Sequence, residues 1–266
     1  MNDKNVIIVT GASRGIGRAA AALFQKKGFI VYALSRTRCD LEGVNPIICD
    51  VTDGVKLKNA IEGVFKAEKR IDVLVNNAGG GISGAVEKTA LEDARRLFDL
   101  NFFAYFEAIK YAVPFMRAGK SGKIINVGSV AGTMHFPFQA FYSASKAAVE
   151  ALSNSLRGEL DPFNIKVSAI LPGDTCTSFT EAREKEFEKN DPDYGERINR
   201  SISLMEKGER NGMPSEKVAQ KIYKAVRSKN PRPAYTVGLS YNLLVFLDKI
   251  CPKRLVQFVI NSMYAK

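Results

Sequence analysis

The segment TGASRGIG, residues 10–17, places a glycine-rich turn directly between a strand-like run, VIIV, and a helix-like run. Gly11 permits a tight turn, Gly15 lets a phosphate approach the backbone, and Gly17 lets the helix pack closely against the strand. The free backbone N–H groups and the positive end of the helix then favour an anion. The segment therefore predicts a strand–turn–helix unit that binds a phosphate group; a purely structural glycine turn is the alternative.

Strand-like and helix-like segments continue to alternate beyond this turn. Short apolar runs rich in β-branched residues (FIVYAL, PIICD, DVLVNNAG, GKIINVGS and IKVSAIL) are separated by segments of helical periodicity, including one from about Leu91 to Met116 that Pro114 is expected to break. Such alternation predicts a parallel sheet covered by helices on both faces. We therefore predict an α/β fold: a Rossmann-like, doubly wound parallel sheet flanked by helices, in a single domain.

The end of the second strand predicts a dinucleotide that carries an extra phosphate. This strand ends in ALSRTR, where a carboxylate would favour a free ribose 2′-hydroxyl, but Ser35 and Arg36 stand there instead. Arg14 in the turn supplies a second guanidinium, Arg38 is a further candidate, and arginine suits bidentate binding of a phosphate. We therefore predict NADP(H) as the cofactor. Asp40, several residues beyond the strand, keeps NAD open as the alternative.

The run CDVT predicts the site of the adenine ring. Asp50 is expected to accept a hydrogen bond from the adenine amino group while Val51 packs on the ring; alternatively, Thr52 or Asp53 serves only to cap the following helix. The cofactor contacts predicted from these segments are Gly11, Ser13, Arg14, Gly15, Ile16, Gly17, Ser35, Arg36, Asp50 and Val51.

The stretch FYSASKAAVEAL, residues 141–152, carries a tyrosine and a lysine four residues apart at the start of a predicted helix. Tyr142 and Lys146 therefore share one face of that helix. An unperturbed tyrosine has a pKa near 10, and a neighbouring ammonium is expected to lower it towards neutral pH. Ser129 ends the strand IINVGS, so its hydroxyl is expected at the carboxyl end of the sheet, where it can stabilise a developing charge.

Together these segments resemble the short-chain dehydrogenase/reductase family, from Val6 to about Thr177. The motifs that carry the resemblance are TGASRGIG, NNAG at 76–79, Asn101, Ser129, YSASK at 142–146 and PG at 172–173. In the run PGDTCT, Thr175 stands where the family often has valine, whereas Thr177 fits the threonine that meets the carboxamide. The resemblance implies further cofactor contacts from Asn77, Ala78, Gly79, Tyr142, Lys146, Pro172, Gly173, Thr175 and Thr177.

The same resemblance implies the catalytic roles. Tyr142 would be the general acid/base, Ser129 would orient the substrate, and Lys146 would also bind the nicotinamide ribose. Asn101 would hold a water that connects the lysine to solvent. The implied reaction is reversible hydride transfer between NADP(H) and a ketone or secondary alcohol, and the predicted substrate contacts are Ser129, His135, Phe136 and Tyr142.

The substrate is predicted to be lipophilic, because aromatic residues fill the loop before Tyr142 and the tail is apolar. The overall pattern resembles the branch that contains 17β-hydroxysteroid dehydrogenase-like enzymes and acyl-dihydroxyacetone-phosphate reductases. A hydroxysteroid or bile acid is therefore the first prediction. An acyl-dihydroxyacetone phosphate or another lipid carbonyl is the alternative, and a non-catalytic NADP(H) sensor or scaffold is a remote one.

The second part of the chain is expected to shape the substrate site. We predict that residues 1–172 form mainly the cofactor-binding core, and that residues 173–266 form a helical lid, a last strand in PAYTVG and a C-terminal extension of two helices broken near Pro252. Charges within this extension exclude an 18-residue membrane span. Three roles stay open for it: a cover for the core or a subunit interface, a substrate lid, or a peripheral membrane contact.

Charge and cysteine usage limit the partners. The net charge is +11, and residues 216–266 hold ten Lys and Arg against two acids. No nucleic-acid module accompanies this charge, so nucleic acid is not expected as a partner. The four cysteines lack metal-ligand spacing, so we predict no metal, and with no secretory signal a cytoplasmic location. A homodimer or homotetramer is implied by the family resemblance.

Overall fold

The computed structural model describes residues 4–185 and 191–264. The main sheet is built from β1 (Val6–Thr10), β2 (Ile30–Ser35), β3 (Asn45–Ile48), β4 (Val73–Asn76), β6 (Gly122–Val127), β7 (Ile165–Pro172) and β11 (Ala234–Val237). Two small pairs join β5 (Ile82–Ser83) to β9 (Glu184–Lys185), and β8 (Thr175–Cys176) to β10 (Met213–Pro214). The main sheet has seven strands in the order β11-β7-β6-β4-β1-β2-β3, all paired in parallel.

Helices cover both faces of this sheet. They are α1 (Gly15–Lys26), α2 (Gly54–Glu68), α3 (Leu91–Phe98), α4 (Ala104–Ala118), α5 (Ala140–Leu160), α6 (Gly195–Arg210), α7 (Ser215–Arg227), α8 (Leu239–Ile250) and α9 (Lys253–Tyr264). Short 3-10 turns lie at Val86–Lys88, Val130–Gly132 and Asp161–Phe163, and a π-helical turn at Asp99–Phe103 joins α3 to α4.

The core lies on both sides of the sheet, as the continuous apolar strands predict. Successive residues of β1 belong to opposite cores. Ile8 packs in one buried cluster with residues of α2, α4 and α5, whereas Ile7 and Val9 pack in another with α1 and α7. The predicted fold class, a doubly wound parallel α/β sheet flanked by helices, is thereby confirmed; the predicted division at residue 172 stays a prediction.

The order of the strands fixes where a ligand binds. The chain moves outward from β1 in one direction through β2 and β3, and in the other through β4, β6 and β7. A crevice therefore opens at the carboxyl ends of β1 and β4, the point at which ligands bind in open α/β sheets. The loop after β1 and the loop after β4 both lead into this crevice.

The long helical segment differs from its prediction in two ways. It is interrupted not by Pro114 but by the π-helical turn, and α4 continues through Pro114 to Ala118. Ala112 and Met116 are fully buried on either side of the proline. Their packing holds α4 together despite the hydrogen bond that proline cannot make.

The C-terminal elements lie where the sequence places them. β11 forms the edge of the sheet beside β7, and the chain turns between α8 and α9 at Pro252. Within the segment predicted to form a helical lid, the structure has the helix α6. Residues 186–190 of the same segment lie outside the described part of the chain. Among the helices that the structure describes, none is long and apolar enough to cross a membrane.

Candidate active site

A cavity of about 850 Å³ occupies the crevice at the carboxyl ends of the strands. Its inner wall is formed by the glycine-rich turn, the loops after β4, β6 and β7, and the first turns of α5. Its outer wall is formed by the loop that carries Phe136 and by side chains of α8 and α9. One end is therefore polar and lined by backbone, and the other is closed by C-terminal side chains.

The glycine-rich turn needs its glycines for steric reasons. Gly11 and Gly15 have φ values of +64° and +54°, which disfavour a side chain. Gly17 does not line the cavity but lies beneath the turn. A Cβ there would be 2.5 Å from Nδ2 of Asn77 and closer still to the carbonyl oxygen of Gly11. The turn can therefore approach α1 only because Gly17 has no side chain.

Asn77 holds the turn in place. Its Nδ2 donates to the carbonyl oxygens of Thr10 (2.9 Å) and Gly11 (3.2 Å), and its backbone N–H donates to Oγ1 of Thr10 (2.9 Å). The loop after β4 is thereby bonded to the loop after β1. Asn77 also lines the cavity, so it positions the phosphate-binding turn from within the predicted cofactor site.

The far end of the cavity is basic. Arg14, Ser35 and Arg36 all line it, and Arg36 is exposed there. Asp40 does not line the cavity, and its carboxylate is ion-paired with Arg18. The acid that would favour NAD therefore already has a cationic partner and lies outside the cavity, whereas Arg36 lines the cavity.

The turn after β3 serves two purposes. Oδ1 of Asp50 accepts hydrogen bonds from the backbone N–H (3.0 Å) and the hydroxyl (2.7 Å) of Thr52, and both Asp50 and Val51 line the cavity. Asp53 caps α2, because its Oδ1 accepts from the backbone N–H of Lys56 (3.0 Å). The capping alternative therefore describes Asp53, while Asp50 faces the predicted adenine site.

Tyr142 lies in the first turn of α5 and lines the cavity. Burial raises the pKa of its phenol, and a hydrogen bond with Ser129 and the charge of Arg183 oppose that increase without cancelling it. The sequence-based expectation of a lowered pKa is therefore wrong for this structure. The physical reason is that desolvation of the phenolate outweighs the neighbouring donors and cations.

Lys146 lies one turn further along α5. Its Nζ donates to the carbonyl oxygen of Val127 (3.0 Å) and lies 5.9 Å from the ring centroid of Tyr142 and 5.5 Å from that of Tyr105. Burial lowers the pKa of Lys146 to about 8. The ammonium remains mainly protonated at neutral pH and is held beside the phenol.

Asn101 is fully buried in the π-helical turn, a feature common at functional sites. Its Oδ1 accepts from the backbone N–H of Gly80 (2.9 Å), and its Nδ2 donates to the Gly80 carbonyl (3.0 Å) and to Oγ of Ser145 (3.0 Å). Ser145 in turn donates to the carbonyl oxygen of Tyr142 (2.8 Å). Asn101 therefore connects the loop after β4 to the helix that carries Tyr142.

The structure brings most of the predicted residues to the cavity. Ser129, Tyr142, Lys146 and Phe136 line it, as do all the predicted cofactor residues except Gly17: Gly11, Ser13, Arg14, Gly15, Ile16, Ser35, Arg36, Asp50, Val51, Asn77, Ala78, Gly79, Pro172, Gly173, Thr175 and Thr177. Oγ1 of Thr175 donates to the Gly173 carbonyl (2.8 Å), so this side chain shapes its own loop.

His135 departs from its predicted position. It is exposed, and it lines a separate, smaller cavity between its loop and α9, beside Asp248 and Lys253. The loop turns Phe136 towards the main cavity, where its ring contacts that of Tyr264 at 5.2 Å between centroids. The structure therefore does not bring His135 to Ser129 and Tyr142 as a substrate contact.

The sequence reasoning missed a charged cluster in the cavity wall. Asp174 and Glu209 line the cavity, and Glu209 is ion-paired with the buried Arg183. Asp174 forms a hydrogen bond with Tyr241 of α8, and burial raises the pKa of both groups. These residues come from separate segments that share no motif, and the only local signal was an acid inside the run PGDTCT.

Comparisons with known proteins agree with this geometry. A family model described as short chain dehydrogenase matches residues 5–188. The chain is 39% identical over 263 residues, 98% of each chain, to the 3-ketodihydrosphingosine reductase of Bacteroides thetaiotaomicron. It is 32% identical over 246 residues, 87% of each, to the NADPH-dependent 3-dehydrocapnine reductase of Ornithobacterium rhinotracheale. A crystal structure of a short-chain dehydrogenase from Streptomyces avermitilis has a TM-score of 0.85 at 30% identity, with 98% of each chain covered.

Proposed function

We propose that this chain, which belongs to the short-chain dehydrogenase family, uses NADPH to reduce the ketone of a long-chain lipid. Membership of the family makes the protein an oxidoreductase that acts on carbonyl or CH–OH groups with a nicotinamide cofactor. The lipid substrate, its ketone and the phosphorylated cofactor are the proposal. The predicted hydroxysteroid is not shown by the comparisons and stays a prediction.

The observation that carries the proposal is the apolar outer wall of the cavity. Leu244 of α8 and Val259, Ile260 and Met263 of α9 line it, and Phe136 faces them. An apolar wall that continues from a reacting tyrosine suits an alkyl chain attached to a ketone. Two relatives carry the names of lipid ketone reductases, which supports the same substrate class.

The cavity fits a nicotinamide dinucleotide on steric grounds. Side chains are excluded at Gly11 and Gly17, so the backbone of the turn that leads into α1 would meet a pyrophosphate directly. Arg36 stands at the end where a ribose 2′-phosphate would lie, and Asp50 faces the expected adenine site. Bound there, the cofactor supplies the hydride.

The remaining chemistry falls to residues of this chain. A raised pKa keeps the Tyr142 phenol protonated at neutral pH, which suits it to donate a proton to the carbonyl oxygen during reduction. Ser129 is hydrogen-bonded to Tyr142 and would orient the same oxygen. The Lys146 ammonium would stabilise the phenolate that remains after proton transfer.

A panel of ketones tests this proposal directly. Consumption of NADPH would be followed with 3-ketodihydrosphingosine, octadecan-3-one, a ketosteroid, an acyl-dihydroxyacetone phosphate and cyclohexanone. We expect kcat/KM to be highest for the long-chain ketones. Preference for the ketosteroid would favour the hydroxysteroid prediction instead. Preference for the acyl-dihydroxyacetone phosphate would favour the alternative prediction of an acyl-dihydroxyacetone-phosphate reductase. Tight NADPH binding with no turnover would favour the sensor.

The cofactor preference gives a second test. Arg36→Ser is expected to raise the KM for NADPH about 30-fold and to leave the KM for NADH unchanged, because only the 2′-phosphate loses its guanidinium partner. Arg38→Ser is the matched control, since Arg38 is exposed nearby but does not line the cavity. Steady-state kinetics with both cofactors provides the measurement. Equal losses for NADPH and NADH in Arg36→Ser would contradict the assignment.

The outer faces of α8 and α9 support a peripheral membrane contact as part of this function. Leu239, Leu243, Phe246 and Ile250 recur along one side of α8 and are 92%, 59%, 57% and 61% exposed. Leu255 and Phe258 are exposed apolar residues on α9 that do not line the cavity, and the basic residues Lys249, Lys253 and Arg254 lie near the turn between the helices. An apolar face beside basic residues is complementary to an anionic lipid surface.

Vesicle flotation tests this contact. We expect the protein to float with vesicles of phosphatidylcholine and phosphatidylglycerol, and Leu243→Gln/Phe246→Gln/Ile250→Gln to reduce binding at least about tenfold, because three large apolar side chains lose their lipid contact. Ile48→Gln, at an equally exposed site on β3, is the control. Failure of the unaltered protein to float would exclude the contact. Dissociation of an oligomer by the triple variant would assign the face to subunit association.

A further inference from the structure

The charged cluster beside Tyr142 contains one more carboxylate than it has cations. Within the described residues, Glu209 is fully engaged: Oε1 is ion-paired with Nη2 of Arg183, and Oε2 accepts from the hydroxyl of Thr180 (2.7 Å). Asp174 accepts a hydrogen bond from Tyr241, a neutral group, and its neighbouring cation Arg183 is already paired with Glu209. The cluster therefore presents an uncompensated negative charge to the cavity.

The position of Asp174 is built into the fold. Its carboxylate packs against Gly208 of α6, where a Cβ would collide with it, and its hydrogen bond to Tyr241 ties it to α8. Both Asp174 and Tyr241 line the cavity. A partly buried carboxylate without a cationic partner loses hydration, and a cationic group on a ligand would offset that cost.

Arg183 provides an independent sign that a polar ligand belongs here. Its side chain is 1% exposed, yet Nε and Nη1 have no hydrogen-bond partner among the described residues. The guanidinium lies 5.5 Å from the ring of Phe179 and beside Gly81, and both of these residues are in the cavity wall. Arg183 itself does not line the cavity, and its buried, unpaired N–H groups show that the described residues do not satisfy every polar group of this cluster.

The cluster is also within electrostatic reach of the reacting group. The charges of Arg183 and Glu209 both act on the phenol of Tyr142, and the same two charges act on the carboxyl of Asp174. The ring of Tyr142 lies 5.6 Å from that of Phe179. Asp174 and Tyr142 therefore line the same cavity and are influenced by the same pair of charges.

We propose that Asp174, supported by Arg183 and Glu209, binds the ammonium of a substrate in which an amino group is adjacent to the ketone. The inference rests on the proposed lipid ketone reductase function and specifies its substrate as a long-chain amino ketone. The ammonium contacts the Asp174 carboxylate, and the alkyl chain follows the wall formed by α8 and α9.

Matched ketones test the inference without relying on a variant. The probes are 3-ketodihydrosphingosine, its N-acetyl derivative and octadecan-3-one, all presented in the same mixed micelles with NADPH. We expect kcat/KM for the free amine to exceed that for the N-acetyl derivative about 30-fold, because acylation removes the charge that Asp174 meets.

Asp174→Asn tests the residue itself, since it keeps the shape and removes the charge. We expect it to lower kcat/KM for the free amine about 30-fold, mainly through KM, and to leave octadecan-3-one within about twofold. Glu196→Gln, an exposed acid at the start of α6, is the matched control and is expected to retain the full preference. Binding of NADPH and the near-UV circular dichroism spectrum report whether each variant is folded.

The outcomes separate the two proposals. If the unaltered protein reduces none of the three ketones, the proposed function fails and the amine site fails with it. If it reduces all three equally, or if Asp174→Asn loses the same fraction of activity on each ketone, lipid ketone reduction stands and the amine site is wrong.

Discussion

Tyr142→Phe is expected to lower kcat for ketone reduction by about a thousandfold while the affinity for NADPH stays within about twofold. The substitution removes the hydroxyl that we propose donates the proton, and it keeps the ring that contacts Phe179. A loss of this size corresponds to about 4 kcal/mol of transition-state stabilisation. Stopped-flow measurement of hydride transfer, with NADPH binding followed by fluorescence, separates the chemical step from binding.

Tyr105→Phe is the matched control for this loss. Tyr105 is also buried beside Lys146, but its hydroxyl donates to the carbonyl oxygen of Val127 (3.2 Å) and the residue does not line the cavity. That carbonyl retains its hydrogen bond from Lys146, so the variant is expected to keep kcat within about fivefold. A Tyr142→Phe variant that retains more than a tenth of the activity would show that another group supplies the proton.

Gly17→Ala is expected to produce the second large effect. The added Cβ would meet the Gly11 carbonyl and Nδ2 of Asn77, which are backbone and anchored groups that cannot move independently of the turn. Overpacking of this kind typically costs about 1–3 kcal/mol of unfolding free energy. Because the same atoms shape the phosphate site, the Kd for NADPH is expected to rise at least about 30-fold.

Gly63→Ala shows what the same chemical change does without the collision. Gly63 is exposed and lies in the middle of α2, away from the helix ends, and a Cβ there would have no neighbour within 4 Å. Replacing glycine by alanine in a helix is expected to stabilise the fold by about 0.5–1 kcal/mol. Chemical denaturation of both variants, with NADPH titrations, is the measurement. Equal NADPH affinities in the two variants would show that Gly17 is not needed for close packing of the turn.

The alternation of strands and helices could be predicted because it depends on local patterns. Strands buried on both faces, such as β1 with Ile7, Ile8 and Val9, appear in the sequence as continuous β-branched runs. The glycine-rich turn could be placed because its steric requirement permits few other residues. Pro114 misled the prediction, because packing of Ala112 and Met116 against the core is not visible in the local sequence.

The properties of the site that the sequence did not predict depend on tertiary burial. The pKa of Tyr142 follows from desolvation by surrounding elements, whereas its spacing from Lys146 suggested the opposite shift. Asp174, Arg183 and Glu209 meet only because α6 and the loop after β7 pack together at Gly208 and Gly212. His135 turns away because its loop directs Phe136, its neighbour in the chain, towards Tyr264.

The last two helices form much of the outer wall of the cavity, whereas the glycine-rich turn and the side chains of Ser129, Tyr142 and Lys146 come from the first 146 residues. Much of the apolar wall and the proposed catalytic side chains are therefore encoded in separate stretches of the chain. An exchange of residues 239–264 for those of a relative would reshape the apolar wall without touching Ser129, Tyr142 or Lys146. Substitutions in these helices can therefore change the shape of the outer wall while the side chains proposed to carry out the reaction stay in place.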